Sequence, residues 1–256
     1  VNIDIKSSYP NRIGRFLMIF FLFLFSCINV RPGAYNQSDG MVAAGGNAVY
    51  RYLLYLPKDY DRQPSRKWPL LVYLHGNSCR GYNLEKLKKY GPPYLVSAGW
   101  NFTFIIVSPQ CPSDRNWDKD DWFPSLYNDL SGKYRIDEKR IYLTGMSLGG
   151  SGVWSLAMRH PEYFAAAIPL CGGWSTRNIK AMKNIPVWAF HGALDRTVLP
   201  QETEKLVDAL RKAGGKVRYS KLAGQGHSIH KVYEEREIYE WLLRHKKQVL
   251  DLRPDR

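Results

Sequence analysis

Gly145-Met146-Ser147-Leu148-Gly149 stands between an apolar run, Arg140 to Gly145, and a helical pattern over residues 149–160. A serine on a sharp strand-to-helix turn must take strained backbone angles. Glycines two residues to either side remove the Cβ atoms that would collide there. The hydroxyl then projects above a sheet, and the helix N-terminus turns its partial positive charge toward it. The pattern alone is common, so its weight rests on the strand before it, the helix after it and the partners found elsewhere in the chain.

Outward from this turn, short apolar runs rich in branched and aromatic residues recur at Val49 to Leu56, Pro69 to His75, Thr103 to Ser108, Arg140 to Gly145, Ala166 to Cys171 and Pro186 to His191, with a last strand at Lys216 to Leu222. Unbroken apolar strands suit a sheet covered on both faces. Helical patterns lie between them at residues 83–98, broken at Pro92-Pro93, and at 124–134, 149–160, 201–213 and 233–247. Strand alternating with helix implies a mostly parallel central sheet with helices on both faces. No internal repeat or second core is visible. Elements fill the interval from Ser147 to Asp195, which leaves no room for a large lid there.

A serine hydroxyl is a poor nucleophile at neutral pH and needs a base and an orienting carboxylate. Asp195 closes His191-Gly192-Ala193-Leu194-Asp195, just past a strand, whereas Glu202, Glu204 and Asp208 fall on a helix and suit solvent. His227 ends Gly224-Gln225-Gly226-His227, after the last strand and before the final helix, with His230 as the runner-up base. His75 and His191 each end a strand before a glycine, where a structural imidazole is expected. The order Ser147, Asp195, His227 is that of an α/β-hydrolase triad. Oxyanion donors are expected from the Leu148 amide and from the loop His75-Gly76-Asn77-Ser78, with Asn77 the choice and Ser78 the alternative.

Arg12 and Arg15 precede Phe16 to Phe25, an unbroken apolar run. Ten residues rise about 15 Å as a helix, half a bilayer core, so the run reads as a secretory signal over residues 1–26. Leu24-Phe25-Ser26-Cys27 resembles a bacterial lipobox with Cys27 as the lipidated residue, although Phe25 is bulkier than that motif prefers; cleavage near Ala34 without lipidation is the alternative. A Gly-rich linker is expected over residues 27–46 and the catalytic domain over 47–250. The product would be secreted or periplasmic, or held at the outer membrane by a lipid on Cys27.

The 256 residues carry a formal net charge of +14. Such an excess raises nucleic acid, anionic membrane or acidic glycan as partners. The basic residues are spread through the chain without a helix-turn-helix, zinc or RNA-binding signature, so a solvated surface and no nucleic-acid partner are expected. Cys79, Cys111 and Cys171 fit no metal-ligand spacing, and at most one bridge could form among them. Neither a metal nor a cofactor is expected.

The chain resembles secreted single-domain α/β-hydrolases related to feruloyl and acetylxylan esterases, the phospholipase/carboxylesterase or "predicted peptidase" type. The resemblance runs from about Tyr52 to Leu243 through YLHG (Tyr73 to Gly76), VSPQCP (Val107 to Pro112), RIYLTGMSLGG (Arg140 to Gly150), RHPEYFAA (Arg159 to Ala166), PLCGGW (Pro169 to Trp174), PVWAFHG (Pro186 to Gly192) and GHS (Gly226 to Ser228) before EIYEWLL. It implies Ser147 as nucleophile, Asp195 as orienting acid and His227 as base. The chain departs from that pattern after GHS, with Ile229-His230 where an aromatic is usual.

The loop from Ser113 to Phe123, with Trp117 and Trp122, and the segment from Cys171 to Thr176, with Trp174, are expected to rim the site. Flat aromatics suit sugar rings or a phenolic acyl group. The expected activity is cleavage of carboxylic esters on acylated polysaccharide or its fragments, feruloyl or acetyl, with a small-molecule or oligosaccharide ester as substrate. Two alternatives are a serine peptidase of prolyl-oligopeptidase type and a non-catalytic glycan-binding lipoprotein.

Overall fold

The computed structural model describes residues 37–45 and 48–247; the leader and Cys27 lie outside the described residues. Eight strands form one sheet: β1 (Ser38–Ala43), β2 (Val49–Tyr55), β3 (Trp68–Leu74), β4 (Ile105–Gln110), β5 (Ile136–Met146), β6 (Ala166–Leu170), β7 (Val187–Gly192) and β8 (Val217–Leu222). Their spatial order is β1-β2-β4-β3-β5-β6-β7-β8. The β1/β2 and β2/β4 pairs are antiparallel and every other pair is parallel.

Burial follows that order. Every residue of β3, β4, β6 and β7 is buried, as strands covered on both faces require. At the edge, β8 is nowhere fully buried. Alternate side chains enter two separate layers. Leu70, Val72 and Leu74 of β3 pack with α2 (Trp122–Lys133), α3 (Leu148–Arg159) and α4 (Pro200–Lys212). Leu71 and Tyr73 pack on the opposite face with α1 (Gly91–Ser97) and α5 (Arg236–Leu243). The buried positions of α4, Pro200, Thr203, Leu206, Val207 and Leu210, recur at three- and four-residue spacing, so one stripe faces the sheet.

Three expectations are corrected. Residues 38–43 are not linker but the edge strand β1, paired with β2 from Ser38↔Leu54 to Ala43↔Val49. A Cβ at Gly40 would lie 2.3 Å from the Tyr52 ring, so the glycine that reads as linker is where an aromatic crosses the edge strand. Pro92-Pro93 does not break a helix but opens α1, because a first-turn residue needs no amide donor; a 3-10 turn, Leu84–Lys89, comes before it, capped by Asn83. The final helix is shorter than expected: a 3-10 turn at His230–Glu234 precedes α5.

Hydrogen exchange read by mass spectrometry is expected to show protection over residues 38–43. Exchange there at the rate of a free peptide would contradict the strand.

Candidate active site

The three residues singled out in the sequence meet at the C-terminal edge of the parallel strands. Ser147 follows the last residue of β5 and directly precedes α3. Its backbone has φ 59° and ψ −121°, a conformation that costs a non-glycine residue about 1–3 kcal/mol. Close packing holds it there. A Cβ on Gly149 would lie 1.9 Å from the Leu74 carbonyl oxygen, and one on Gly145 would lie 2.6 Å from the oxygens of Leu74 and Gly149. The Ser147 amide donates to the Leu170 carbonyl (2.9 Å) and its carbonyl accepts from the Ser151 amide (2.9 Å), which pins the turn from both sides.

Asp195 lies three residues beyond β7 and His227 five beyond β8, so both side chains arrive on loops leaving adjacent strand ends. His227 Nε2 is 2.8 Å from Ser147 Oγ and its Nδ1 is 2.7 Å from Asp195 Oδ2. Asp195 Oδ1 accepts from the amides of Thr197 (2.8 Å) and Val198 (3.0 Å). Burial pushes the Asp195 carboxyl up, but the bond from His227 and the Val198 and Thr197 amides outweigh it, so it stays below the usual carboxylate range. An ionised Asp195 fixes the tautomer of His227: Nδ1 carries hydrogen, and Nε2 is left to accept from the serine hydroxyl.

The loop leaving β3 runs beside the serine. A Cβ on Gly76 would sit 3.6 Å from Ser147 Cβ. Asn77 opens the 3-10 turn Asn77–Cys79 and Leu148 opens α3, positions whose amides have no carbonyl to bond within their own helices. His75 secures this loop as a structural imidazole. Its Nδ1 donates to the Gly76 carbonyl (2.7 Å), its Nε2 accepts from the Cys111 amide (3.0 Å), and its own carbonyl accepts from Trp117 Nε1 (3.1 Å). Burial lowers its pKa to about 4, with the bond to Gly76 pulling the other way.

Trp117 and Trp122 are not on the rim. They are 1% and 0% exposed, their rings 5.3 Å apart, and Trp122 Nε1 donates to the Trp117 carbonyl. The loop carrying them folds inward because each indole finds a backbone acceptor in the core, so a tryptophan between aspartates is no mark of exposure. Trp174 does face solvent, at 38%, as do Leu194 and Leu199 on the loops beyond β7. His230, the runner-up base, is stacked on Tyr90 with ring centroids 4.4 Å apart, and no bond joins it to Ser147 or Asp195. Burial, and then the nearby His227, lower its pKa to about 4.

The cysteines Cys79, Cys111 and Cys171 are all free and buried. Burial pushes the Cys111 and Cys171 thiols up to about 12, so neither is an activated nucleophile. Cys171, His191 and Asp195 bring potential metal-ligating atoms within 4.8 Å of one another. Those atoms are committed to protein partners: Asp195 Oδ2 meets both imidazoles, His191 Nε2 meets Asp195 Oδ2 and the Val198 carbonyl, and Cys171 Sγ points at the His227 carbonyl. Sequence reasoning missed the bond from His191 to Asp195. The four-residue spacing in His191-Gly192-Ala193-Leu194-Asp195 was the available signal.

The chain has the α/β-hydrolase fold. A thermostable esterase of known structure is 31% identical, with a TM-score of 0.73 over 84% of this chain and 64% of that one. A feruloyl esterase module from Clostridium thermocellum shares the fold at 16% identity, with a TM-score of 0.63 over 88% of this chain and 92% of that one. A bifunctional acetylxylan esterase/xylanase from Neocallimastix patriciarum is 28% identical over 142 residues, covering 53% of this chain and 20% of its own length. The chain spans between a fifth and about half the length of the curated relatives it matches. A family model described as the prolyl oligopeptidase family matches residues 174–249, which hold Asp195 and His227 but not Ser147.

Two outcomes follow from the burial. Trp122→Ala is expected to cost about 3–5 kcal/mol of stability in urea titrations and Trp174→Ala no more than about 0.5, whereas equal effects would contradict the inward fold of the loop. His75 and His230 have lower pKa values folded than unfolded, so the unfolded chain takes up protons first. Stability is full above about pH 6.5 and falls as the pH drops toward about 4. A urea midpoint unchanged between pH 7 and 4 would contradict the buried neutral imidazoles.

Proposed function

We propose that this α/β-hydrolase is a serine esterase that cleaves carboxylic esters through an acyl-Ser147 intermediate. One observation carries the reading: from Ser147 Oγ, on a strained, half-buried turn, an unbroken hydrogen-bonded series runs through His227 to Asp195. His227 Nε2 takes the hydroxyl proton as Ser147 Oγ attacks the ester carbonyl, and Asp195 stabilises the imidazolium through Nδ1–H. The oxyanion of the tetrahedral intermediate receives the amides of Leu148 and Asn77, each worth about 10²–10³ in rate where such donors have been removed. His227 then protonates the leaving alcohol. Water, deprotonated by the same imidazole, cleaves the acyl-enzyme and returns the serine.

The substrate class is the finer part of the proposal: acylated polysaccharide or its fragments, carrying feruloyl or acetyl esters. Trp174, Leu194 and Leu199 offer exposed apolar surface on loops leaving β6 and β7, and an apolar face suits an aryl acyl group or a sugar ring. The names of the similar acetylxylan and feruloyl esterases point the same way. A second reading, a serine peptidase, is favoured by the prolyl oligopeptidase match over the segment bearing Asp195 and His227. We further propose export through the leader, with Cys27 as a lipid attachment site; incorporation of labelled palmitate that is lost in Cys27→Ser would support it.

A panel of feruloyl, acetyl and short-chain aryl esters, with the matching amides, tests the reaction. Turnover of esters over amides is expected. In Ser147→Ala, both turnover and covalent labelling by a fluorophosphonate should be lost, and Asp195→Asn should lower kcat by about 10⁴. Amides cleaved as fast as esters would favour the peptidase; a folded protein that neither labels nor turns over any ester would sink the enzymatic reading.

A further inference from the structure

His191 is 0% exposed and lies at the end of β7, directly behind the carboxylate of Asp195. Its Nε2 is 3.1 Å from Asp195 Oδ2 and 2.9 Å from the Val198 carbonyl oxygen. Both neighbours are acceptors only, so Nε2 must carry hydrogen. A bare ring nitrogen there would set its lone pair against a buried carboxylate with no water to intervene. The Thr203 hydroxyl, on the buried stripe of α4, donates its one hydrogen to the Gly172 carbonyl at the exit of β6 (2.7 Å), so it accepts from the other ring nitrogen, Nδ1 (2.8 Å), and the ring donates at both nitrogens. The ring is therefore held at both nitrogens, by the loop beyond β7 on one side and by α4 on the other.

We propose that His191 is a positioning residue for the triad: its Nε2–H fixes the orientation of Asp195 Oδ2, and so the angle at which His227 is presented to Ser147. The proposal rests on the hydrolase reading above. Two amides, Thr197 and Val198, hold only Oδ1. With those alone the carboxylate could rotate until Oδ2 no longer faced His227 squarely. The second imidazole supplies the missing constraint on the oxygen that His227 uses. Thr203 extends the constraint to α4, and its bond to Gly172 ties that helix to the strand end whose Leu170 carbonyl holds the Ser147 amide. His191 touches no substrate in this scheme. Its contribution is to the geometry of a bond made by others.

The test compares two replacements in the full chain. Gln presents an amide N–H near the position of Nε2, whereas Leu fills similar space without a donor. His191→Leu is expected to lower kcat by about 10- to 100-fold, the scale of one hydrogen bond to a charged group, with KM within about twofold. His191→Gln should keep kcat within about fivefold of the parent. A packing role would damage both alike, so equal losses would overturn the proposal, as would a folded Leu variant with the parent's kcat.

Should the Leu variant fail to fold, Thr203→Val and a spectroscopic measurement decide. The valine keeps the shape but leaves Nδ1 without its partner, and a threefold to tenfold fall in kcat is expected, roughly half the energy of the bond above. In protein labelled with ¹⁵N-histidine, the resonance lost in His191→Gln should show hydrogen on Nε2. Hydrogen on Nδ1 alone overturns the proposal whatever the kinetics. That spectrum is independent of turnover, so failure of the hydrolase reading, seen as an unlabelled Ser147 and no ester cleavage, stays distinct from failure of this one.

Discussion

The whole arrangement depends on β3, β5 and the start of α3 approaching more closely than side chains allow. The Leu74 carbonyl occupies the space where Cβ atoms of Gly145 and Gly149 would lie. That contact forces the chain to reverse over a single residue, and Ser147 takes up the strain at φ 59°. Fully buried strands on either side make the contact unyielding, since neither β3 nor β6 can retreat without opening both layers of the core. The strain is thus sustained by packing remote from the reacting atom, and in return the hydroxyl stands clear of the sheet with a helix N-terminus beneath it.

A second constraint is the charge of Asp195. A carboxylate that is 3% exposed would be expensive unless every lone pair is met. Here four N–H groups are directed at it: two backbone amides on Oδ1 and two imidazoles on Oδ2. The same partners that make burial tolerable also set direction, because a carboxylate bound on all sides has no rotational freedom left. Stability and geometry are therefore set at this position by the same four bonds.

Those two features were legible to very different degrees. The turn was readable because its requirement is local: Ser147 needs Gly145 and Gly149 within five consecutive residues. The order of Ser147, Asp195 and His227 was readable because each follows a run that could be recognised as a strand. The edge strand β1 was not, since Ser38 to Ala43 becomes a strand only through β2, and its own residues have neither the alternation nor the β-branched content that announce one. Trp117 and Trp122 failed for a related reason. Whether an indole in an aspartate-rich loop faces inward depends on acceptors supplied by His75 and by the loop's own backbone, which only the folded chain brings into range. His191 was visible as a structural imidazole, but the identity of what it supports required the position of Asp195 four residues later.

The core that takes in those two tryptophans also removes them from the solvent-facing surface at the strand ends. With Trp117 and Trp122 anchored inward, the exits of β6 and β7 still present exposed apolar side chains, at Trp174, Leu194 and Leu199. The loop beyond β7 also carries Asp195 and its amide donors Thr197 and Val198. A change in the rim there is coupled through a few backbone bonds to the carboxylate, for instance the Leu194 amide to the Gln225 carbonyl two residues before His227. The exposed apolar surface at Leu194 and Leu199 and the carboxylate that His227 meets consequently share one structural element. Evolution of the first is limited to side chains that leave the backbone between Gly192 and Val198 where it is.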